Sequence, residues 1–216
     1  MIPRVFLATI VFGSIISVSS TSILATELPQ AKLLYKVDTS DKVVFLTADD
    51  GSDRPTDAVT ELERLQWPVT SFILPSKIGA YATWFTSLGS RNDIGTHSAR
   101  HTALKGLSFD KQKKEICEGE RRIKEKFGST TGYFRPPYGS WDKRTLQAAA
   151  ACGISHVVLW TVSLNGRTIT TWDGKIHPGN IVLVHYVRSM AQSIRQLEKR
   201  LKLQGLTVAR LSDYLK

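Results

Sequence analysis

Cysteine, acidic residues and long apolar runs are what this chain has least of. Two cysteines among 216 residues are too few for a disulfide-built scaffold. The 15 glycines follow no period, which excludes a collagen-like polymer, and 42% hydrophobic residues exclude a disordered one. No internal repeat, low-complexity tract or Pro/Gly/Ser-rich linker divides the sequence, so the length suits one domain or two small ones. Acids number 19 against 29 lysines and arginines, giving a formal charge of +10. That surplus favours anionic surroundings but does not choose among nucleic acid, a membrane surface and an acidic wall polymer.

The one extended apolar run, Val5 to Val18, follows Arg4 and precedes small polar residues up to Ala25. It is shorter than the ~20 residues a membrane-spanning helix needs, and its flanks are those of a secretory signal peptide. Ile23 and Ala25 place cleavage after Ala25, so the expected layout is a signal peptide at 1–25, an N-terminal segment at 26–41 and a domain at 42–216. No stable membrane span is expected once the signal is removed; retention as an anchor is the alternative. A secreted or cell-envelope location follows, and with it an oxidising compartment. Cys117 and Cys152 lie at or near successive helices, which are often neighbours. They fit either a disulfide, stabilising by about 3 to 4 kcal/mol, or two buried thiols.

Short β-rich runs alternate with amphipathic stretches along the rest of the chain. Strands are expected at 43–47, 69–74, 94–97, 133–135, 156–160 and 180–185, and helices at 56–66, 80–88, 108–127, 143–152 and 189–203. Repeated strand-then-helix order implies parallel strands covered on both faces. In the longest helix Ile116, Glu120, Ile123 and Phe127 share a face, and Glu118/Arg122, Glu120/Lys124 and Arg121/Glu125 are charge pairs four residues apart. Its lysines and arginines therefore read as a solvated outer face, and nucleic acid is not an expected partner.

In parallel α/β folds the working residues gather where strands end. Here Thr47-Ala48-Asp49-Asp50-Gly51 follows the first expected strand, and His97-Ser98-Ala99-Arg100-His101 follows the third. Two imidazoles four residues apart are expected to share one side of a helical turn. Asp50, His97 and His101 would then offer two nitrogens and one oxygen with room for water, the donor set of a catalytic divalent metal. Arg135-Pro136-Pro137-Tyr138-Gly139 and Leu183-Val184-His185 end two later strands.

These four segments, in this order, resemble the polysaccharide deacetylase family, the NodB-homology enzymes of carbohydrate esterase family 4. The likeness runs from about Lys42 to Tyr214. It implies a distorted, trimmed (β/α) barrel, with an open doubly wound sheet as the alternative, because ~250 residues are typical of a full barrel. It implies an acetylated polysaccharide as partner and a divalent metal, most readily Zn²⁺, held by Asp50, His97 and His101. By the same resemblance Asp49 is general base, Arg135 its partner and His185 general acid. The Tyr138 backbone N–H faces the oxyanion, Leu183 lines the acetyl pocket, and Trp160 joins them on the substrate side.

The sequence departs from the family pattern in places. Ala48, Ser52 and Thr102 replace the usual large apolar residue and two prolines, and Tyr186 stands where an aspartate often follows the last histidine. After Trp160, where an acidic motif is expected, the chain reads Thr161-Val162-Ser163-Leu164-Asn165. The only acid between Lys143 and Leu197 is Asp173, a possible substitute. His156 and His177 match no motif and read as structural. The function expected is a secreted deacetylase of an N-acetylhexosamine polymer, cell-wall glycan or chitin-type oligomers. The alternatives are an O-acetyl esterase and a glycan-binding protein without catalysis.

Overall fold

Strand β2 (Val43–Asp50) shows how side-chain alternation sorts this chain into layers. Val44, Leu46 and Ala48 point to one face and join an apolar cluster beneath the helices, while Phe45 points to the other face with Phe72, Val158 and Ile181. Thr47 and Asp49 share the parity of Phe45, so this period of two carries a carboxylate into the concave interior.

The computed structural model describes residues 28–79 and 82–215, and the expected signal peptide lies outside them. Around β2 the chain runs β1 (Lys32–Leu34), α1 (Thr56–Leu65), β3 (Thr70–Ile73), α2 (Pro75–Ile78), α3 (Ala82–Thr86), β4 (Asp93–Thr96) and α4 (Phe109–Phe127). It continues through β5 (Tyr133–Phe134), α5 (Lys143–Ala151), β6 (His156–Val158), β7 (Val162–Asn165), β8 (Thr168–Thr171), β9 (Ile181–His185), α6 (Met190–Gln204) and β10 (Thr207–Val208). The sheet order is β1-β6-β5-β4-β3-β2-β9-β7-β8, with β10 also pairing β2. All the pairings between these strands are parallel except the β7–β8 hairpin, and the sheet curls into a half-barrel.

All six expected strands are present. Outside the sequence-based assignment stand β1, the β7–β8 hairpin, β10 and the short helix α2. β1 comes from the stretch before residue 42 and pairs with β6, Leu34 opposite Val158. The helix expected at 80–88 covers only Ala82–Thr86 among the described residues, with α2 ahead of it.

Helix α4 carries the expected charge pairs: Arg122–Glu118 at 3.9 Å and Arg121–Glu125 at 2.5 Å on its outer face, and Lys124–Glu120 at 3.2 Å, in which Glu120 is itself buried. Its other side buries Ile116 and Ile123. Cys117 and Cys152 form a disulfide that ties α4 to the end of α5 across 35 residues of sequence, a closure contributing about 4 kcal/mol on the chain-entropy account. None of the described helices is long and apolar enough to cross a membrane.

Candidate active site

The register of the parallel strands assembles the site. Asp49 lies opposite His185 across β2 and β9, and Thr96, the residue before His97, lies opposite Phe134, the residue before Arg135. Residues distant in sequence thus meet at one end of the sheet.

Arg135 is fully buried, and its guanidinium is spent entirely on this end. It donates to Asp49 Oδ1 at 2.8 Å, Thr47 Oγ1 at 2.8 Å, Val158 O at 3.0 Å and Leu159 O at 3.1 Å. It also stacks 4.3 Å over Phe72. Burial pushes the guanidinium down from its usual range and Asp49 pulls it back up, with burial the larger effect. The result is a carboxylate locked in one orientation beside a fixed cation.

The Arg135 carbonyl accepts a 2.8 Å hydrogen bond from His97 Nδ1. A carbonyl cannot donate, so the ring proton sits on Nδ1 and Nε2 keeps its lone pair. Burial favours that neutral form, pushing His97 down from the ordinary imidazole range against the opposing pull of Asp49. Nε2 lies 3.6 Å from Asp50 Oδ1, and His101 Nε2 lies 3.4 Å from the same oxygen. Asp50 Oδ1 is buried and takes no hydrogen bond, and the three donor atoms fall within 4.8 Å of one another. An orphaned anionic oxygen facing two imidazole nitrogens fits a divalent cation.

The expected helical turn across the two histidines is absent. β4 ends at Thr96, and Ser98 and His101 take left-handed backbone conformations, φ 71° and 63°. The irregular loop brings the imidazoles to 5.0 Å between centroids, and His101 N–H donates to Ser98 Oγ. Helix α4 supports it: Ala99 N–H bonds the Glu115 carbonyl, and Arg100 N–H bonds the Glu115 carboxylate. A Cβ at Gly119 would stand 2.7 Å from the Ser98 carbonyl carbon, so only glycine lets the helix approach this closely. Asp50 and Tyr138 also have positive φ, 73° and 59°. Four of the five such non-glycine residues described are therefore at this site, where surrounding contacts must hold the strain.

Gly51, at φ +74°, packs so closely that a Cβ would lie 2.7 Å from the Phe85 ring. The loop after it is held by Arg54, whose side chain donates to the carbonyls of Gly51, Asp53 and Lys77 and lies 4.8 Å over Phe85. Neither Gly119 nor Arg54 belongs to a catalytic motif; a glycine inside a charged helix is the one sequence sign of the first.

The remaining candidates line the opening. Tyr138 OH bonds His101 Nδ1 at 3.0 Å, while the Tyr138 N–H takes no part in the hydrogen bonds of its own turn. Leu183, Trp160 and His185 line a 420 Å³ cavity with Ser163 and Asn165. Ser163 is the register partner of Leu183, so the hairpin occupies the expected acidic-motif position without a carboxylate. Asp173 is bound to His177 Nε2 at 2.8 Å and to Lys175 N–H, so both are committed on the surface. Among the described residues no ion pair forms at His185. Tyr186 is buried below the site, its hydroxyl 2.5 Å from Ser71 Oγ and its ring edge-on to Trp84 and Phe85. His156 lies under Tyr133, away from these groups.

The family model described as polysaccharide deacetylase matches residues 36–157. The chain belongs to the polysaccharide deacetylase family. An uncharacterized protein of Streptomyces coelicolor is 36% identical over 187 residues, covering 83% of this chain and 75% of that protein. The peptidoglycan-N-acetylmuramic acid deacetylase PdaC of Bacillus subtilis is 28% identical over 194 residues, covering 83% of this chain and 41% of that one. A family 4 carbohydrate esterase pseudoenzyme from Bacillus anthracis shares the fold at a TM-score of 0.72 and 22% identity, over 85% of this chain and 69% of that one. Family members thus include both named deacetylases and a pseudoenzyme, and fold alone does not assign activity.

Proposed function

We propose that this chain is an exported, metal-dependent hydrolase that removes acetyl groups from an N-acetylhexosamine polysaccharide, releasing acetate and a free amine. The observation that carries this reading is the convergence of Asp50 Oδ1, His97 Nε2 and His101 Nε2 beside a second carboxylate, Asp49, whose Oδ1 is held by Arg135 and whose Oδ2 lies 3.9 Å from His97 Nε2. An acetamide resists neutral water and has a poor leaving group, so its hydrolysis needs activation at the carbonyl, at the water and at the nitrogen. A bound divalent cation, Zn²⁺ being suited to two imidazoles and one carboxylate, supplies Lewis-acid polarisation and acidifies water.

The protein's own groups do the rest. Asp49 accepts the proton of the attacking water, and Arg135 keeps that carboxylate oriented. The Tyr138 N–H donates to the oxygen on which charge develops. His185, on the neighbouring strand, donates a proton to the departing amine, and Leu183 packs against the acetyl methyl. Two adjacent carboxylates serve because one cannot be ligand and base at once. The relative named as a peptidoglycan deacetylase supports cell-wall glycan as substrate, with chitin-type oligomers next.

The test is acetate release from peptidoglycan and chitin oligomers with chelator and metal add-back, read beside metal content. His101→Ala should lose both metal and activity, whereas Asp49→Asn should lose activity and keep metal. No acetate from either substrate, nor from acetylxylan as an ester control, under any metal would overturn the enzyme reading in favour of a glycan-binding protein.

A further inference from the structure

Of the large apolar side chains exposed among the described residues, four surround the site: Tyr35, Tyr138, Trp172 and Val187. Trp172 is 97% exposed. An indole left in water on a short hairpin contributes nothing to packing, and exposed apolar groups gathered at a cleft mark a binding surface.

The strand register explains the gathering. Leu34 pairs with Val158, so Tyr35 comes alongside the chain leading to Trp160; Thr171 pairs with Val162, so Trp172 comes alongside Thr161. Trp141 Nε1 donates to the Tyr35 hydroxyl at 3.1 Å and fixes that ring. Tyr35, Trp160 and Trp172 line a 540 Å³ groove with Thr161, Ser163, Thr170 and Thr171. Trp160, Ser163 and Thr170 also line the 420 Å³ cavity that holds His185, so the groove adjoins the cavity. Neither lining contains a lysine, arginine, aspartate or glutamate, although the chain carries a formal charge of +10.

We propose that Tyr35, Trp160 and Trp172 form a stacking platform for uncharged sugar units of the same glycan chain, beyond the unit whose acetyl group reaches the metal site. This rests on the deacetylase reading for its orientation and deepens it. Aromatic faces and threonine and serine hydroxyls match the apolar faces and hydroxyl rims of N-acetylhexosamine rings. The basic surface of the molecule is a separate feature and does not select the sugars. The site therefore prefers a polymer over a short oligomer, and this preference is insensitive to salt, because no charge lines the groove.

Calorimetric titration with the N-acetylglucosamine hexamer and dimer, in low and high salt, tests this on the full chain. The hexamer should bind more tightly than the dimer. Trp172→Ala should reduce that ratio by about two- to tenfold, the range of one aromatic contact. Trp172→Phe should restore most of it. An unchanged ratio in Trp172→Ala, a hexamer affinity that collapses with salt, or no hexamer binding at all would each overturn the platform. Acetate release is measured separately on the hexamer and on peptidoglycan: hexamer binding that depends on Trp172 with no acetate from either substrate keeps the platform and removes the enzyme reading, and acetate release indifferent to Trp172 in the hexamer does the reverse.

Discussion

Arg135→Met is the substitution whose consequences the structure defines most sharply. Methionine approximates the apolar stem but leaves Asp49 Oδ1, Thr47 Oγ1 and the carbonyls of Val158 and Leu159 without their donor. A buried ion pair adds little net stability, because desolvation offsets attraction, yet removing one partner costs about 3 to 5 kcal/mol by stranding the other charge. Against a domain stability of about 5 to 15 kcal/mol, that is enough to bring unfolding into moderate urea. The stranded acceptors are common to Arg135→Met and to Arg135→Met/Asp49→Asn, so a comparison of these two isolates the carboxylate charge. The double variant should be about 2 kcal/mol more stable than the single one, and both should fall below wild type. Urea unfolding followed by tryptophan fluorescence and circular dichroism measures the order. If the double variant is no more stable than Arg135→Met, Asp49 is not the charge that Arg135 neutralises, and its assignment as an oriented base fails with it.

Asp142 caps α5, accepting from Thr145 N–H, Gly106 N–H, Gln112 and Arg144; burial raises its carboxyl, but these bonds outweigh burial and hold it at about 2. Its stabilisation is therefore complete above the unfolded value of 3.8 and lost as pH falls toward about 2, so the deficit of Asp142→Ala, about 1 to 2 kcal/mol at neutral pH, should shrink across that window. A deficit constant down to pH 2 in urea titrations would show that the charged cap is not its source. Ser163→Asp places a carboxylate in the cavity of His185 and should raise N-acetate relative to O-acetate release, since the poorer amine leaving group depends more on a charged imidazole donor. An unchanged ratio in matched amide and ester substrates would remove His185 from the donor role.

The strand-end chemistry was legible because it is local in sequence: each motif sets its functional side chains at or just past the end of a short β-rich run, and two of the four also carry a turn glycine, Gly51 and Gly139. The separate roles expected of Asp49 and Asp50 came from the family resemblance; in the structure, parity along β2 sends the first inward and leaves the second at the strand end, partly open. The loop conformation at His97–His101 was not legible. Spacing by four suits a helical turn, but whether helix forms depends on Gly119 and Glu115 of α4, which are distant in sequence and supply the close approach and the bonds that hold the loop. β1 escaped because three residues are too few to show a period. The β7–β8 hairpin did leave a signal: Gly166, at φ 58°, opens a two-residue loop between runs that alternate in burial, and Asn165 pairs with Thr168 around it.

That hairpin ties the missing acid to the exposed aromatics. The acidic motif that the family pattern places after Trp160 would stand on β7, and here β7 instead turns back through Gly166 to present Thr170, Thr171 and Trp172 beside the same cleft. This segment lacks the carboxylate that the family pattern sets beside the acid histidine, and it carries part of the proposed platform. In transition-state terms these are different contributions: a carboxylate at the acid histidine assists the chemical step, whereas stacking of distant sugar units lends binding energy that can be spent on placing the acetyl group. An enzyme with the second and without the first should depend strongly on chain length, with short substrates losing turnover as well as affinity. A pseudoenzyme with the same hairpin would retain the length dependence in binding alone. What separates the two fates open to this fold is therefore whether chain length governs turnover as well as binding.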